Sequence, residues 1–262
     1  MIIVADNIQI RKQRIAAALE TRDPGPIREL AQRCAGAGAN SLDINSGPLL
    51  RDPERDMPFI VEAVQEACDL PLVLDTSNAK ALEAGLIACK SRAVINGASL
   101  QPEKLEHILP LAKRHDADII GYLLQPNGHV PPDAGQRLGI ALELHAKCTE
   151  AGIDNEQLII DPVVVPILWQ DGTKQAREVL TTIRTLPELL GFPVRTIAGI
   201  SNLTTGSGER DKKLILEQSY AAMLAEAGLN MALVNVFHHG TISIIKACNC
   251  LSGGGIFAWG EI

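Results

Sequence analysis

Eight short apolar runs punctuate the chain, and each passes into polar residues at its C-terminal end. In order they are I-I-V-A-D-N from Ile2, S-L-D-I-N-S-G from Ser41, P-L-V-L-D-T from Pro71 and A-V-I-N-G-A-S from Ala93. D-I-I-G-Y-L-L-Q from Asp118, L-I-I-D-P-V-V from Leu158, R-T-I-A-G-I-S-N from Arg195 and A-L-V-N-V-F from Ala232 complete the series. Periodicity alone does not separate such runs from buried helix segments. Their β-branched content and flanking turn residues favour parallel strands covered on both faces.

Amphipathic patterns lie between the runs. Asp23-Pro24-Gly25-Pro26 supplies the capping and first-turn proline chemistry that starts I-R-E-L-A-Q-R-C-A, and Gly36 and Gly38 end that helix. Residues 58–68 repeat apolar positions at Ile60, Val61, Val64 and Ala67. Further helices are expected over 79–89, 104–114, 136–151, 176–190, 213–227 and 241–250. Eight strands alternating with helices over about 250 residues is the pattern of a (β/α)8 barrel. A single α/β barrel domain spanning 1–262 is therefore expected, with a doubly wound open sheet as the alternative.

A barrel gathers the C-terminal ends of its strands on one face, where an active site is built. Polar groups recur at those ends: Asp6, Asn7, Asp43, Asn45, Asp75, Asn96, Gln125, Asp161, Asn202 and Asn235. Asp and Asn are depleted in strands, so their repetition calls for a reason. Helix capping and turn chemistry explain part of it. Asp75 could cap the helix that follows, but beside Asn96 and Asp161 on a common rim it reads as a ligand carboxylate, with Thr76, Ser77 and Asn78 left to do the capping. Asn45-Ser46-Gly47-Pro48 is good turn chemistry. Asp161 before Pro162 and Asn96 inside I-N-G fit capping poorly.

Composition changes the picture chiefly by exclusion. With 46% hydrophobic and 21% charged residues and no low-complexity tract, the 262-residue chain reads as globular. A net charge of −7 argues against a nucleic-acid surface. No apolar run approaches the ~20 residues of a membrane span. Met1 leads straight into a strand-like run without a secretory segment, so a cytoplasmic protein is the expectation. Four of the six cysteines sit singly in helical patterns, and only Cys248 and Cys250 lie close together. Reduced thiols without zinc are expected. His238-His239 after the eighth run invites a metal, but no acid or thiol stands at ligand spacing, and no metal site is assigned. Phe257 and Trp259 in the Gly-rich tail are expected to cover a barrel edge or a subunit contact.

The rim is rich in carboxylates and amides and poor in cations and aromatics. An ionised Asp only accepts hydrogen bonds, whereas Asn donates and accepts on one planar group. Together they match a flat heterocycle with fused amide and amine edges, whose polar groups would satisfy theirs. No G-x-x-x-x-G-K phosphate loop is present.

Five motifs occur in barrel order: D-I-N-S-G-P at 43–48, L-D-T-S-N at 74–78, V-I-N-G-A-S at 94–99, I-I-D-P at 159–162 and G-I-S-N at 199–202. From Ile2 to about Ile245 the chain thereby resembles the pterin-binding methyltransferases, which move a methyl group between 5-methyltetrahydrofolate and a corrinoid protein. The resemblance implies that Asp75, Asn96 and Asp161 hold the pterin and that Asn202 lies near its N5, as the catalytic group. Arg210 falls where the family carries an Arg after its seventh strand. Asp43, Asn45, Gln125 and Asn235 join Arg210 as further candidates. The resemblance also implies cobalamin carried by a separate corrinoid protein, tetrahydrofolate as the other substrate form, and a homodimer. The D-x-H-x-x-G cobalt-ligating motif is absent from the chain.

One departure stands out. The family's first strand commonly ends G-E-R-x-N, and here the run is Ala5-Asp6-Asn7-Ile8-Gln9. It is consistent with a branch serving another corrinoid partner, such as demethylases that pass methyl groups from aryl ethers or methylamines to tetrahydrofolate. Dihydropteroate synthase is the enzymatic alternative, but it needs a basic anion site where this chain has Ser201-Asn202-Leu203. A non-catalytic folate-binding subunit is the other.

Overall fold

The computed structural model describes residues 1–47, 51–253 and 259–261. Eight parallel strands close into a barrel in the order of the chain, with the eighth pairing back onto the first. They are β1 (Ile2–Gln9), β2 (Ser41–Asn45), β3 (Leu72–Asp75), β4 (Val94–Ala98), β5 (Asp118–Tyr122), β6 (Leu158–Asp161), β7 (Arg195–Gly199) and β8 (Met231–Val234). The (β/α)8 expectation holds, and the open-sheet alternative is excluded because an open sheet leaves two unpaired edges.

The helices are α1 (Gln13–Thr21), α2 (Gly25–Gly36), α3 (Pro53–Gln65), α4 (Ala79–Ala88), α5 (Pro102–Arg114), α6 (Ala134–Glu150), α7 (Gly172–Leu190), α8 (Arg210–Glu226) and α9 (His239–Ser252). Beyond shifts of up to four residues at other helix ends, two points differ from the pattern read along the chain. α1 is an extra helix between β1 and α2, nine residues long, burying Ile15, Ala18 and Leu19 on one stripe. So short a stripe is easily passed over next to a strand. α3 begins at Pro53 rather than at residue 58: Asp52 precedes it, and Glu54 and Asp56 face its positive N-terminal end. Pro58 lies within the helix.

Two apolar layers hold the fold. The larger fills the space between barrel and helices, with Ile8, Leu42, Leu74, Ile95 and Ile119 among its members. The smaller lies inside the barrel: Val4, Val73, Val94, Ile120, Ile159, Ile197 and Met231. Strand side chains alternate between these layers. One two-residue step toward the C-terminal end therefore carries the interior layer from apolar to polar. Val73 leads to Asp75, Val94 to Asn96, Ile120 to Tyr122 and Ile159 to Asp161.

Register then sets neighbours within the polar tier. Asn45 pairs with Asp75, Asp75 with Asn96, and Tyr122 with Asp161. Gly97 interrupts the β4–β5 ladder, and a Cβ there would collide with the carbonyl oxygen of Ile120. Glycine lets β4 lie close against β5 immediately beside Asn96.

At the opposite end of the barrel, Asp118 is bracketed by two guanidinium groups, Arg92 at 2.8 Å and Arg195 at 2.7 Å. Phe257 lies outside the described residues. Trp259 is 84% exposed. Among the described residues, no helix is long and apolar enough to cross a membrane.

Candidate active site

The polar tier opens into a cavity of about 280 Å³ at the C-terminal mouth of the barrel. Asp43, Asn45, Asp75, Asn96, Tyr122 and Asp161 form one arc of its wall, contributed by β2 to β6. Gly199, Ser201 and Asn202 after β7, with Asp6, Gln9 and Arg11 after β1, form the facing arc. A second cavity of about 460 Å³ lies against α4 and α5 and shares Asp75, Asn96 and Tyr122 with the first.

Asp75 does not cap α4. Asn78 does, accepting from the backbone N–H groups of Lys80 and Ala81 at 3.0 and 3.1 Å. Thr76 accepts from the N–H of Asn78 at 3.2 Å and donates to the carbonyl of Gly47 at 3.1 Å. The Asp75 carboxylate instead accepts from the Asn45 amide and faces the cavity.

Asn96 is almost wholly buried. Its side-chain oxygen accepts from the Tyr122 phenol, and its amide nitrogen reaches an Asp43 oxygen at 3.4 Å. Asp161 ends β6, where the chain reverses: Val163 adopts φ +63° and donates its backbone N–H to Asp161 Oδ1 at 2.7 Å. A left-handed conformation at a β-branched residue is costly, and here it anchors the carboxylate.

Burial dominates the electrostatics of this arc. Loss of hydration pushes Asp161 up to about 7, against the pull of the Val163 N–H and the positive charge of Arg137. Asp75 is raised by the same cause. Asp43 is raised well above the ordinary carboxylate range, by burial first and then by the charge of Asp75 beside it. The Tyr122 phenol is likewise held protonated by burial and by the three carboxylates around it. Asp6, across the cavity, is raised by burial, partly offset by Lys12, His238 and Arg11.

Asn202 lies in a 3₁₀ turn, Ile200–Thr204, that follows β7 directly. The residue is exposed, and its amide makes no hydrogen bond to any described residue. The turn leaves it close to Gly199, where a Cβ would lie 2.9 Å from its amide nitrogen.

Three further candidates lie off the cavity wall. Gln125 is three residues past the end of β5, in a turn closed by its N–H to the His129 carbonyl at 2.9 Å. Arg210 is the exposed first residue of α8. Asn235 has the inward parity of Met231 and Leu233, but β8 ends at Val234 and the chain turns away. Its side-chain oxygen accepts from Asn7 at 2.8 Å and from the N–H of Phe237 at 3.0 Å. Tyr122 was not singled out in the sequence, although the step from Ile120 that parallels Val73 to Asp75 points to it. Among the described residues, no group of three His, Cys, Asp or Glu could hold a metal.

The arrangement offers three carboxylates and the amides of Asn45 and Asn96 from one arc, and from the facing arc the uncharged Ser201 and Asn202 after β7 beside Asp6, Gln9 and Arg11 after β1. The profile of a family described as pterin binding enzyme matches residues 13–235. The methylcorrinoid:tetrahydrofolate methyltransferase of Eubacterium limosum is 22% identical over 97% of this chain and 92% of its own length. The dihydropteroate synthase of a Synechocystis strain is 31% identical over 56% of this chain and 50% of its own. Among solved structures, the dihydropteroate synthase of Stenotrophomonas maltophilia with active site-bound imidazole superposes with a TM-score of 0.71. It is 16% identical and covers 97% of this chain and 94% of that one.

Proposed function

The chain belongs to the pterin-binding enzymes, and on that premise we propose that it is a methyltransferase acting on 5-methyltetrahydrofolate and a corrinoid. The methyl group moves between the folate N5 and the cobalt of a cobalamin carried by a separate corrinoid protein, in either direction. The likeness to the Eubacterium limosum enzyme over nearly the whole of both chains supports this choice within the family. A homodimer belongs to the same proposal.

The observation that carries it is the identity of the group facing the cavity from β7. A synthase that expels pyrophosphate develops anionic charge at its leaving group and needs a cation there. The turn after β7 supplies Ser201 and Asn202, which are uncharged. Methyl transfer makes a different demand: N5 leaves as an amine and must take up a proton, delivered by water, as the N–CH3 bond breaks and the methyl bonds to cobalt. Asn202 cannot donate a proton as an acid at neutral pH, but its carbonyl oxygen can accept from an N5–H that forms late. That is stabilisation of the transition state alone. Asp75, Asn96 and Asp161 hold the ring so that the methyl points at the incoming nucleophile, and the Co(I) corrinoid supplies that nucleophile.

The test mixes the protein with 5-methyltetrahydrofolate and Co(I) cobalamin and follows the cobalt absorbance. Conversion to methylcobalamin is expected. Folate binding without conversion would leave a binding subunit. Condensation of a dihydropterin pyrophosphate with p-aminobenzoate in a parallel assay would make it a dihydropteroate synthase.

A further inference from the structure

Among the described residues none hydrogen-bonds the Asn202 side-chain amide, so its placement depends on the turn that carries it. The turn's backbone is held from one side by the N–H of Ile167, which donates to the Leu203 carbonyl at 2.8 Å. On the other side Thr204 is buried and its hydroxyl donates to Glu217 of α8. A hydroxyl has one proton to give, and the alternative acceptor, the Ser201 carbonyl, lies at 3.5 Å.

Glu217 is 6% exposed, and a buried carboxylate needs partners. Its second oxygen lies 3.8 Å from Nδ1 of His238. The neighbours of His238 set its tautomer. Asn235 uses its oxygen to accept from Asn7 and from the Phe237 N–H, so its NH2 group faces His238 Nε2 at 3.3 Å. Nε2 must then be the acceptor, which places the imidazole proton on Nδ1, toward Glu217. The series runs from Asn7 of β1, through Asn235 and His238, to Glu217 and Thr204. Each hydrogen bond in the series has a defined donor and acceptor, and the His238–Glu217 contact, at 3.8 Å, is an electrostatic one longer than a hydrogen bond.

We infer that Thr204, Glu217 and His238 form a tether that positions Asn202 for methyl transfer. The inference rests on the methyltransferase reading of the cavity. None of the three lines the cavity with Asn202, so they act through it as positioning residues. The Thr204 hydroxyl is the link between the turn and the α8 carboxylate, and valine at 204 removes it while keeping the side chain's shape.

Steady-state kinetics with 5-methyltetrahydrofolate and cobalamin test this. Thr204→Val is expected to lower kcat about tenfold while leaving the folate KM within about twofold. Thr204→Ser, which retains the hydroxyl, is expected to recover turnover. In an Asn202→Ala background, Thr204→Val is expected to add no further loss, because the residue it positions is gone. Additive losses would overturn the inference, as would a valine variant that loses affinity and turnover in equal measure. Amide hydrogen exchange supplies a readout independent of activity. The Thr205 N–H, bonded to the Asn202 carbonyl, is expected to exchange faster in Thr204→Val than in wild type or Thr204→Ser. Unchanged exchange would sink the tether even in an active enzyme. Faster exchange in a protein with no methyl transfer would sink the methyltransferase reading and leave the tether standing.

Discussion

Tyr122 donates its phenol proton to the side-chain oxygen of Asn96, across the boundary between β4 and β5. This bond decides which way the amide points: with the oxygen held by Tyr122, the nitrogen is turned toward Asp43. Asn96 therefore meets any ligand with a preset face.

Tyr122→Phe should show what that presetting is worth. Phenylalanine keeps the ring in the barrel interior but leaves a buried amide oxygen unpaired, at a cost of about 1–3 kcal/mol. Denaturant titration should register the loss of stability. Calorimetry should show pterin affinity weakened by about tenfold, since the amide is then free to turn over. Unchanged affinity would mean that the ligand itself orients Asn96.

Pterin binding should depend on pH through Asp161. Its carboxyl, raised to about 7, holds a proton below that pH, whereas N–H donors of a bound ring need the carboxylate. Binding then expels a proton, and affinity is expected to fall by up to about tenfold per pH unit below 7 and to level off above it. Asp75, Asp43 and Tyr122 face the same cavity, and Arg137 lies behind Asp161. Asp161→Asn should remove the slope between about pH 6 and 7 and leave that of Asp75, raised to about 6, below it, measured as proton release in buffers of different ionisation enthalpy. The shift has a second consequence. The folded state retains a proton that the unfolded chain loses near pH 4, so this group's contribution makes the ligand-free protein less stable as pH rises from about 4 to about 7.

Capping and binding at the end of β3 should separate by mutation. Asn78→Ala removes the side-chain cap of α4 and is expected to cost about 1 kcal/mol by thermal unfolding, with pterin affinity little changed. Asp75→Asn should do the reverse, abolishing measurable binding while α4 stays capped. If both variants lost affinity alike, the division of labour between the two residues would be wrong.

The barrel floor should bear on stability alone. Asp118→Ala leaves Arg92 and Arg195 facing each other without the carboxylate between them. About 3 kcal/mol of lost stability is expected, the low end for a buried pair because both arginines keep solvent access. Pterin affinity should be unaffected, because the site is at the other end of the strands.

How much of this was legible along the chain differs from residue to residue. Asp75, Asn96 and Asp161 stood out because each ends an apolar run with a group that strands avoid, and the interior alternation brings all three to one wall. Tyr122 obeys the same alternation, but a tyrosine in a strand raises no alarm. Its importance depends on which amide lies opposite, which only the β4–β5 pairing reveals. Gln125 and Asn235 also follow apolar runs, yet lie where the backbone has already left the barrel. A strand's last residue depends on where its ladder stops.

The sequence by itself determined the eight-strand alternation, the barrel, and the kind of ligand edge that its rim suits. Those follow from side-chain period and residue chemistry, both local properties. Tertiary structure alone decided that Asn78, among Thr76, Ser77 and Asn78, is the residue that caps α4, that Val163 turns back to anchor Asp161, and that Glu217 meets Thr204 and His238. Those contacts join residues on separate elements, or turn on backbone angles that neighbouring packing imposes. Only closure of the barrel brings Asn7 and Asn235, 228 residues apart, within 2.8 Å.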